Sequence, residues 1–276
     1  VNASKKIHIR SENSDFQFIE TLRRNRAKRQ KSRSFFVEGV RQINLLLEHY
    51  WQIQGLYYAE DRVLSSWAQG VIEKAHEATL FELPTALLEK LSQKNETSEL
   101  LAVVSMPGND LTRIPLKNNF LTVLIDRSAN PGNLGTILRS CDALGVHGVV
   151  VTGHSVDLYD PAVIAASAGS LFALPTVRLP SHNEVTPWLE KVKSALPEFQ
   201  IIGSSAQGTK ALQQQDFTNP TLLLVGNETK GLSHAYKELC DTLVTIPMAA
   251  TSTASSLNVA CATTVMLYEV GRQRAA

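Results

Sequence analysis

The sequence predicts an α/β protein in two parts: a small α/β domain, then a larger one built on a mostly parallel sheet with helices on both faces. Three observations carry this expectation. Short runs rich in Val, Ile and Leu recur between residues 121 and 246, separated by stretches of helical period, which is how strands covered on both faces read. A segment punctuated by Pro107, Gly108 and Pro115 interrupts the pattern as a linker would. The 276 residues, 43% apolar and of mean hydropathy near zero, suffice for one large or two ordinary domains.

Residues 1–34 read as a basic N-terminal arm. Up to Arg33 it holds ten Lys or Arg against three acids, a net +7 in a chain of net charge +1. Seven of the eleven residues from Arg23 to Arg33 are basic. Such a cluster is either a solvated helix face or tail, or a footprint for nucleic-acid phosphates. Glu12, Asp15 and Glu20 argue against an organelle presequence.

The first domain is expected over 35–106. Phe35–Glu38 and Ile53–Ala59 read as strands around a helix at 40–50. Helices follow at 64–78 and 85–91, with strands at 80–83 and 100–105. Residues 107–118 form the linker, and 119–276 the second domain. Its strands are expected at 121–126, 148–152, 199–203, 221–225 and 242–246. Helices should fall near 133–144, 161–169, 184–195 and 231–240, the first capped by Asn133 and the last helix of the chain by Ser255 or Ser256.

No apolar run approaches the ~20 residues of a membrane span, and the polar, basic start does not resemble a secretory signal. Cys141, Cys240 and Cys261 form no close pair and the seven histidines show no ligand spacing, so neither a disulfide framework nor a metal site is expected, and a reducing cytoplasm fits.

Three segments carry chemistry. Asp126 closes a strand and leads through Arg127-Ser-Ala-Asn-Pro-Gly into Asn133-Leu-Gly135, with Arg139 in the helix beyond. Val225-Gly226-Asn227-Glu228-Thr-Lys-Gly231 follows another strand, its glycines allowing close approach of backbone or ligand. Ile246-Pro-Met248 precedes Ser256-Leu257-Asn258-Val259, which opens the last helix. In this order the segments resemble the SpoU (TrmH) branch of the SPOUT RNA methyltransferases, marked by Asn-x-Gly-x-x-x-Arg, Gly-x-Glu-x-x-Gly and Ile-Pro-Met…Ser-Leu-Asn-Val. The resemblance covers roughly residues 119–272. Phe35-Phe-Val-Glu-Gly39 is similar, less specifically, to the opening of the family's ribosomal-protein-like domain.

The resemblance implies a C-terminal trefoil knot, which nothing in the spacing shows; pattern alone would give an ordinary doubly wound sheet. It implies S-adenosylmethionine as cofactor, held by Gly226, Asn227, Glu228, Gly231, Ile246, Met248, Ser256, Leu257 and Asn258. It implies transfer to a ribose 2′-hydroxyl, with Arg139, Asn133 and Glu228 as the catalytic set and Glu228 either ordering its loop or pairing with Arg139. RNA is the implied partner, ribosomal before transfer RNA, through Arg23, Arg24, Arg26, Lys28, Arg29 and Arg127, with Ser128 beside it. A homodimer is implied as well, the last helix (Val265, Met266, Tyr268, with Leu257 before it) serving as core or seam.

Two departures stand out. Seven residues, Ala249–Ser255, occupy a loop that is commonly shorter and contains a glycine, and Ala260-Cys261 replaces a frequent Ser-Val. The longer loop leaves room for a protein that binds RNA without turnover. An unrelated nucleotide-binding enzyme is disfavoured by the lack of Gly-x-Gly-x-x-Gly after the first strand and of any P-loop.

Overall fold

A computed structural model describes residues 5–275; residues 1–4 of the basic arm and residue 276 lie outside the described residues. Two compact units form, Val1–Pro107 with Tyr159–Ala173, and Gly108–Leu158 with Leu174–Ala276.

The first unit runs β1 (Lys6–His8), α1 (Ser14–Arg24), α2 (Arg26–Ser32), β2 (Ser34–Glu38), α3 (Val40–Glu48), β3 (Ile53–Ala59), α4 (Ser66–Lys74), β4 (Thr79–Leu83), α5 (Thr85–Leu91) and β5 (Leu101–Ser105). Its sheet has the order β1-β4-β3-β5-β2, with β1, β4 and β3 parallel and β5 antiparallel to β3 and β2. Strand β1 is three residues long, too short for an alternation to be seen in sequence.

The basic arm is therefore folded. Asn13 caps α1 by accepting from the Asp15 and Phe16 amides, and Phe16, Ile19 and Leu22 at helical spacing enter the core. Asn25 ends α1 and caps α2 through the Lys28 amide.

The second unit opens with β6 (Leu121–Asp126), α6 (Pro131–Ala143) and β7 (Gly148–Thr152). The chain then contributes α7 (Pro161–Ser167) and α8 (Ser170–Ala173) to the first unit, although sequence pattern places a helix at 161–169 in the second domain. The reason is packing. Phe35 lies 4.6 Å from the Tyr159 ring, the Trp51 indole donates to the Phe172 carbonyl at 2.9 Å, and Arg29 meets Asp160 at 3.2 Å. The second unit continues with β8 (Thr176–Leu179), α9 (His182–Ala195), β9 (Gln200–Ser204), β10 (Lys210–Ala211), β11 (Thr221–Val225), α10 (His234–Leu239), β12 (Thr242–Thr245) and α11 (Val259–Arg274). Strands β8 and β10 escape the sequence reading because one is four residues with an Arg inside and the other only two.

All seven strands are parallel, in the order β10-β12-β9-β11-β6-β7-β8. Strands β6, β7 and β11 are buried at every position, as a sheet covered on both faces requires. The chain builds outward from β6 through β7 to β8, then crosses to the other side. The order thus reverses between β6 and β11, where open parallel sheets bind ligands beyond their C-terminal ends. At the N-terminal ends of β6 and β11 Arg274, closing α11, donates to the carbonyls of Asn119, Phe120, Phe217 and Asn219, fixing that helix along the sheet.

Arg29 corrects an expectation. It is 1% exposed and donates to the Leu22 and Arg23 carbonyls and to Asp160, so it is a core strut and cannot contact RNA. Arg23 is half-committed as well, donating to the Lys90 and Ser92 carbonyls with its guanidinium 5.8 Å from the Phe36 ring. Arg24, Arg26 and Lys28 are exposed. Replacing Arg29 by Ala should cost about 3 kcal/mol in urea unfolding, the low end for a broken buried pair because Asp160 keeps some solvent. Arg24→Ala should stay within about 0.5 kcal/mol.

Candidate active site

Strand β6 delivers Asp126, 2% exposed, to the switch point, and Arg127 follows in the left-handed region at φ 57°. The Arg127 fork donates Nε to Asp126 Oδ1 at 3.0 Å and Nη2 to Oδ2 at 2.9 Å. Nη2 also reaches the Gly231 carbonyl at 3.0 Å, while Asp126 Oδ2 accepts from the Ser233 amide at 2.8 Å. Arg127 is thereby a clamp between β6 and the glycine turn. Its Nε and Nη2 are spent on this clamp while the side chain keeps 30% exposure; Ser128, 2% exposed and donating to Glu228, is committed within the loop.

The turn it clamps is tight. Asn227 and Gly231 exchange backbone hydrogen bonds at 3.1 and 2.9 Å, and Gly231 sits at φ 64°. A Cβ on Gly226 would lie 2.2 Å from the backbone of Gly231 and Leu232, so only glycine lets the two limbs touch. The Asn227 side chain accepts from the Thr229 and Lys230 amides and donates to the Arg127 carbonyl.

Glu228 projects from this turn to the start of α6. Its carboxylate accepts from the Ala129 amide (3.0 Å), the Asn130 amide (3.2 Å), Ser128 Oγ (3.3 Å), Asn133 Nδ2 (3.2 Å) and Asn227 Nδ2 (3.3 Å). Burial opposes its charge, but hydrogen bonds from its own backbone amide, the Ala129 amide, Asn133 and the Asn130 amide outweigh it and hold the carboxyl below its ordinary range. An anion at a helix N-terminus is also favoured by the dipole. Glu228 therefore orders the loop, and it does not pair with Arg139.

Helix α6 starts two residues earlier than expected. Asn130, not Asn133, is its cap, accepting from the Asn133 amide, and Pro131 occupies the first turn, where a missing N–H costs nothing. The Asn133 side chain is thus free for a second task. Its Nδ2 donates to Glu228 and its Oδ1 accepts from Asn258 Nδ2 at 3.0 Å. Asn258 Oδ1 in turn caps α11 through the Ala260 amide at 2.8 Å, a role expected of Ser255 or Ser256. The orientation of both amides is set by the ends of the chain, a carboxylate that only accepts and an amide N–H that only donates. One relay thus ties all three sequence motifs together.

Beneath it lies a cavity of about 500 Å³ at the C-terminal ends of β9, β11 and β12. Gly226, Asn227, Glu228, Gly231, Ile246, Met248, Ser256 and Leu257 all line it; Asn258 stands behind, in the relay. The long loop at 249–255 still brings Ser255 to the wall. Sequence reasoning missed Ser204–Gln207, Lys237, Ala262 and Met266. The small polar run after β9, Gly203-Ser-Ser-Ala-Gln-Gly208, was the available signal, and a Cβ on Gly208 would strike the Val244 backbone at 2.4 Å. Arg139 is exposed on α6, outside this lining, and its guanidinium makes no hydrogen bond or ion pair among the described residues. No group of three or more His, Cys, Asp or Glu able to hold a metal occurs among the described residues.

Residues 120–268 match the model of the SpoU rRNA Methylase family, and residues 13–102 that of the SpoU L30e-like domain. The chain belongs to the SpoU rRNA methylase family. A 23S rRNA (uridine(2479)-2′-O)-methyltransferase of Streptomyces viridochromogenes is 48% identical over 96% of this chain and 92% of its own. The crystal structure of the SpoU methyltransferase AviRb from that organism, in complex with the cofactor AdoMet, superposes with a TM-score of 0.89 at 47% identity, covering 96% of this chain and 99% of the other. An AdoMet-bound rRNA methyltransferase from Sinorhizobium meliloti gives 0.86 at 26%, over 97% and 98%.

The cavity fits S-adenosylmethionine. Its volume suits a ligand of that size. Ile246, Met248, Leu257 and Met266 supply apolar walls, and the backbone amides of Ile246, Met248 and Leu257 donate to nothing among the described residues, leaving them for a polar ligand.

Glu228→Gln would set an amide N–H against backbone amides and side-chain NH2 groups that donate at that point. The change should lower stability by about 2 kcal/mol. The carboxyl is depressed on folding, so its contribution is full above the ordinary Glu range and lost as pH falls through the lower folded value. Acid unfolding followed by circular dichroism should show that loss in the wild type and a flatter acid limb in Glu228→Gln.

Proposed function

We propose that this chain is an S-adenosylmethionine-dependent ribose 2′-O-methyltransferase of ribosomal RNA, working in the cytoplasm as a homodimer. The observation that carries the reading is the relay from Glu228 through Asn133 to Asn258, which brings the three family motifs to the rim of one cavity. Ribosomal RNA is favoured because the 23S rRNA relative is matched along nearly its whole length, the N-terminal domain included. Transfer RNA is the second reading, supported by relatives named for either substrate.

S-adenosylmethionine supplies the electrophilic methyl group. The backbone of 226–231, 246–248 and 256–257 grips it, and Glu228 and Asn133 keep these loops in register. Arg139 fixes an RNA phosphate beside the target ribose through its planar fork and stabilises negative charge growing on the 2′-oxygen. A guanidinium that stays protonated in water is no base for this hydroxyl. Holding the hydroxyl in line accounts for much of the remaining rate. The first unit grips RNA through Arg24, Arg26 and Lys28, with 35–106 as the substrate-binding domain and 119–276 as the catalytic one. The family's trefoil knot is part of this reading, formed where α11 threads past the turn at 226–231.

Dimerisation is supported by α11. Met266 faces the core at 1% exposure, whereas Cys261, Val265 (39%) and Tyr268 (64%), with Leu257 (40%) before the helix, leave an apolar stripe at helical spacing. No helix among the described residues is long and apolar enough to cross a membrane.

Methyl transfer from labelled cofactor to 23S rRNA and to transfer RNA tests the reading; label at a ribose 2′-oxygen of 23S rRNA is expected, and none in either pool sinks it. Arg139→Ala should keep cofactor affinity and lower transfer at least ~100-fold, the scale for losing one transition-state donor. Gly226→Ala should lose cofactor binding in calorimetry. Tyr268→Glu should shift the light-scattering mass from two chains to one.

A further inference from the structure

Three ionisable side chains line the cavity: Glu228, Lys230 and Lys237. The Glu228 carboxylate is consumed by five donors, none of them a lysine. The Lys230 and Lys237 side chains are exposed, and their ammonium groups make no hydrogen bond or ion pair among the described residues. Glu238, adjacent to Lys237, faces His234 instead, at 3.4 Å. The rim therefore carries two uncompensated positive charges. S-adenosylmethionine has one carboxylate against a sulfonium and an ammonium, so it is itself a cation and can satisfy at most one of the lysines. A polyanion is the complement this rim lacks.

We propose that Lys230 and Lys237 bind RNA backbone phosphate at the cavity rim, and that this contact makes RNA and cofactor binding reinforce each other. The inference rests on the methyltransferase reading and names a contact of that same site. Without RNA the lysines repel the cationic cofactor more than its net-neutral product, S-adenosylhomocysteine. A phosphate between them removes that repulsion, and by linkage the bound cofactor strengthens RNA binding by the same factor. The device favours the loaded cofactor when substrate is present.

The test compares the wild type with the pair Lys230→Gln/Lys237→Gln, the pair Lys230→Arg/Lys237→Arg, and Lys74→Gln as a remote lysine control. Filter retention of transcribed 23S rRNA across salt should give a log–log slope lower by about 1.5 in the Gln pair, from ~0.7–0.9 per lost phosphate contact. The slope should be restored in the Arg pair and unchanged in Lys74→Gln. Calorimetry without RNA should show the Gln pair binding S-adenosylmethionine roughly two- to fivefold tighter than the wild type, with a smaller gain for S-adenosylhomocysteine. A short RNA already 2′-O-methylated at every ribose, unable to react, should tighten S-adenosylmethionine binding to the wild type and not to the Gln pair. An unchanged salt slope overturns the proposal. So does an equal loss of affinity for both cofactor forms, which would assign the lysines to the cofactor carboxylate. Wild-type protein that binds neither cofactor form would instead sink the methyltransferase reading itself.

Discussion

The catalytic unit hangs on a single carboxylate. Glu228 stands at the N-terminus of α6 and accepts hydrogen bonds from two backbone amides, a hydroxyl and two side-chain amides. Segments about 100 residues apart in sequence are held by that one charged group, and hydrogen bonds to charge are about twice as strong as neutral ones. From it the relay passes through Asn133 and Asn258 to the first turn of α11. Each amide has one acceptor and one donor face in use, so rotating either would break a bond at both ends. The carboxylate accepts at both oxygens, whereas glutamine would accept at one and turn its NH2 on groups that donate, so it is a poor substitute for glutamate here.

The fold was legible in the sequence where strands are buried on both faces. Strands β6, β7 and β11 fall where the apolar runs 121–126, 148–152 and 221–225 place them. The strands that escaped are short and at sheet edges, β1, β8 and β10, where few residues carry a pattern. At the site, Gly226 and Gly231 were legible because close backbone approach demands glycine, while the residues between 246 and 257 were legible only through the family resemblance. The fate of individual polar side chains was not. Arg29 and Arg127 read as surface charges in a basic or loop context, yet each is bound inward by carbonyls and a single aspartate. Which asparagine caps a helix was equally hidden, since Asn130 and Asn133 differ only in which one precedes the proline. The walls contributed by β9 need knowledge of strand order, and order is a non-local property.

Arg139 is the candidate residue whose setting differs most from the others. Asn133 and Glu228 are locked by hydrogen bonds, whereas the guanidinium of Arg139, six residues further along α6, has no partner among the described residues. Six residues advance a helix about 9 Å and turn it well off the Asn133 face. A long cation left without a partner near a rigid site is suited to a ligand that arrives with its own charge. The two rim lysines share this condition. On the proposed reading the cofactor would meet mostly preformed backbone, while the charged groups of Arg139, Lys230 and Lys237 are exposed and without a partner among the described residues.

That division has an energetic logic. A loop ordered by Glu228 before binding spares the cofactor the entropy of organising its own site. On the proposed reading the lysines and Arg139 would gain from remaining solvated until phosphate replaced water, because exposed ion pairs made in advance would be worth little and would have to be broken. The apolar stripe on α11 bears on the same economy. Helix α11 is fixed at one end by Asn258 and at the other by the carbonyls around Arg274. Within the chain it also packs on α6, where Ser140 and Thr264 hydroxyls meet at 2.7 Å. A second copy seated on Leu257, Val265 and Tyr268 would therefore dock against an element already rigid, adding apolar burial without ordering cost. It would also lie beside the helix that carries Arg139, so dimerisation and phosphate capture would depend on the same pair of helices.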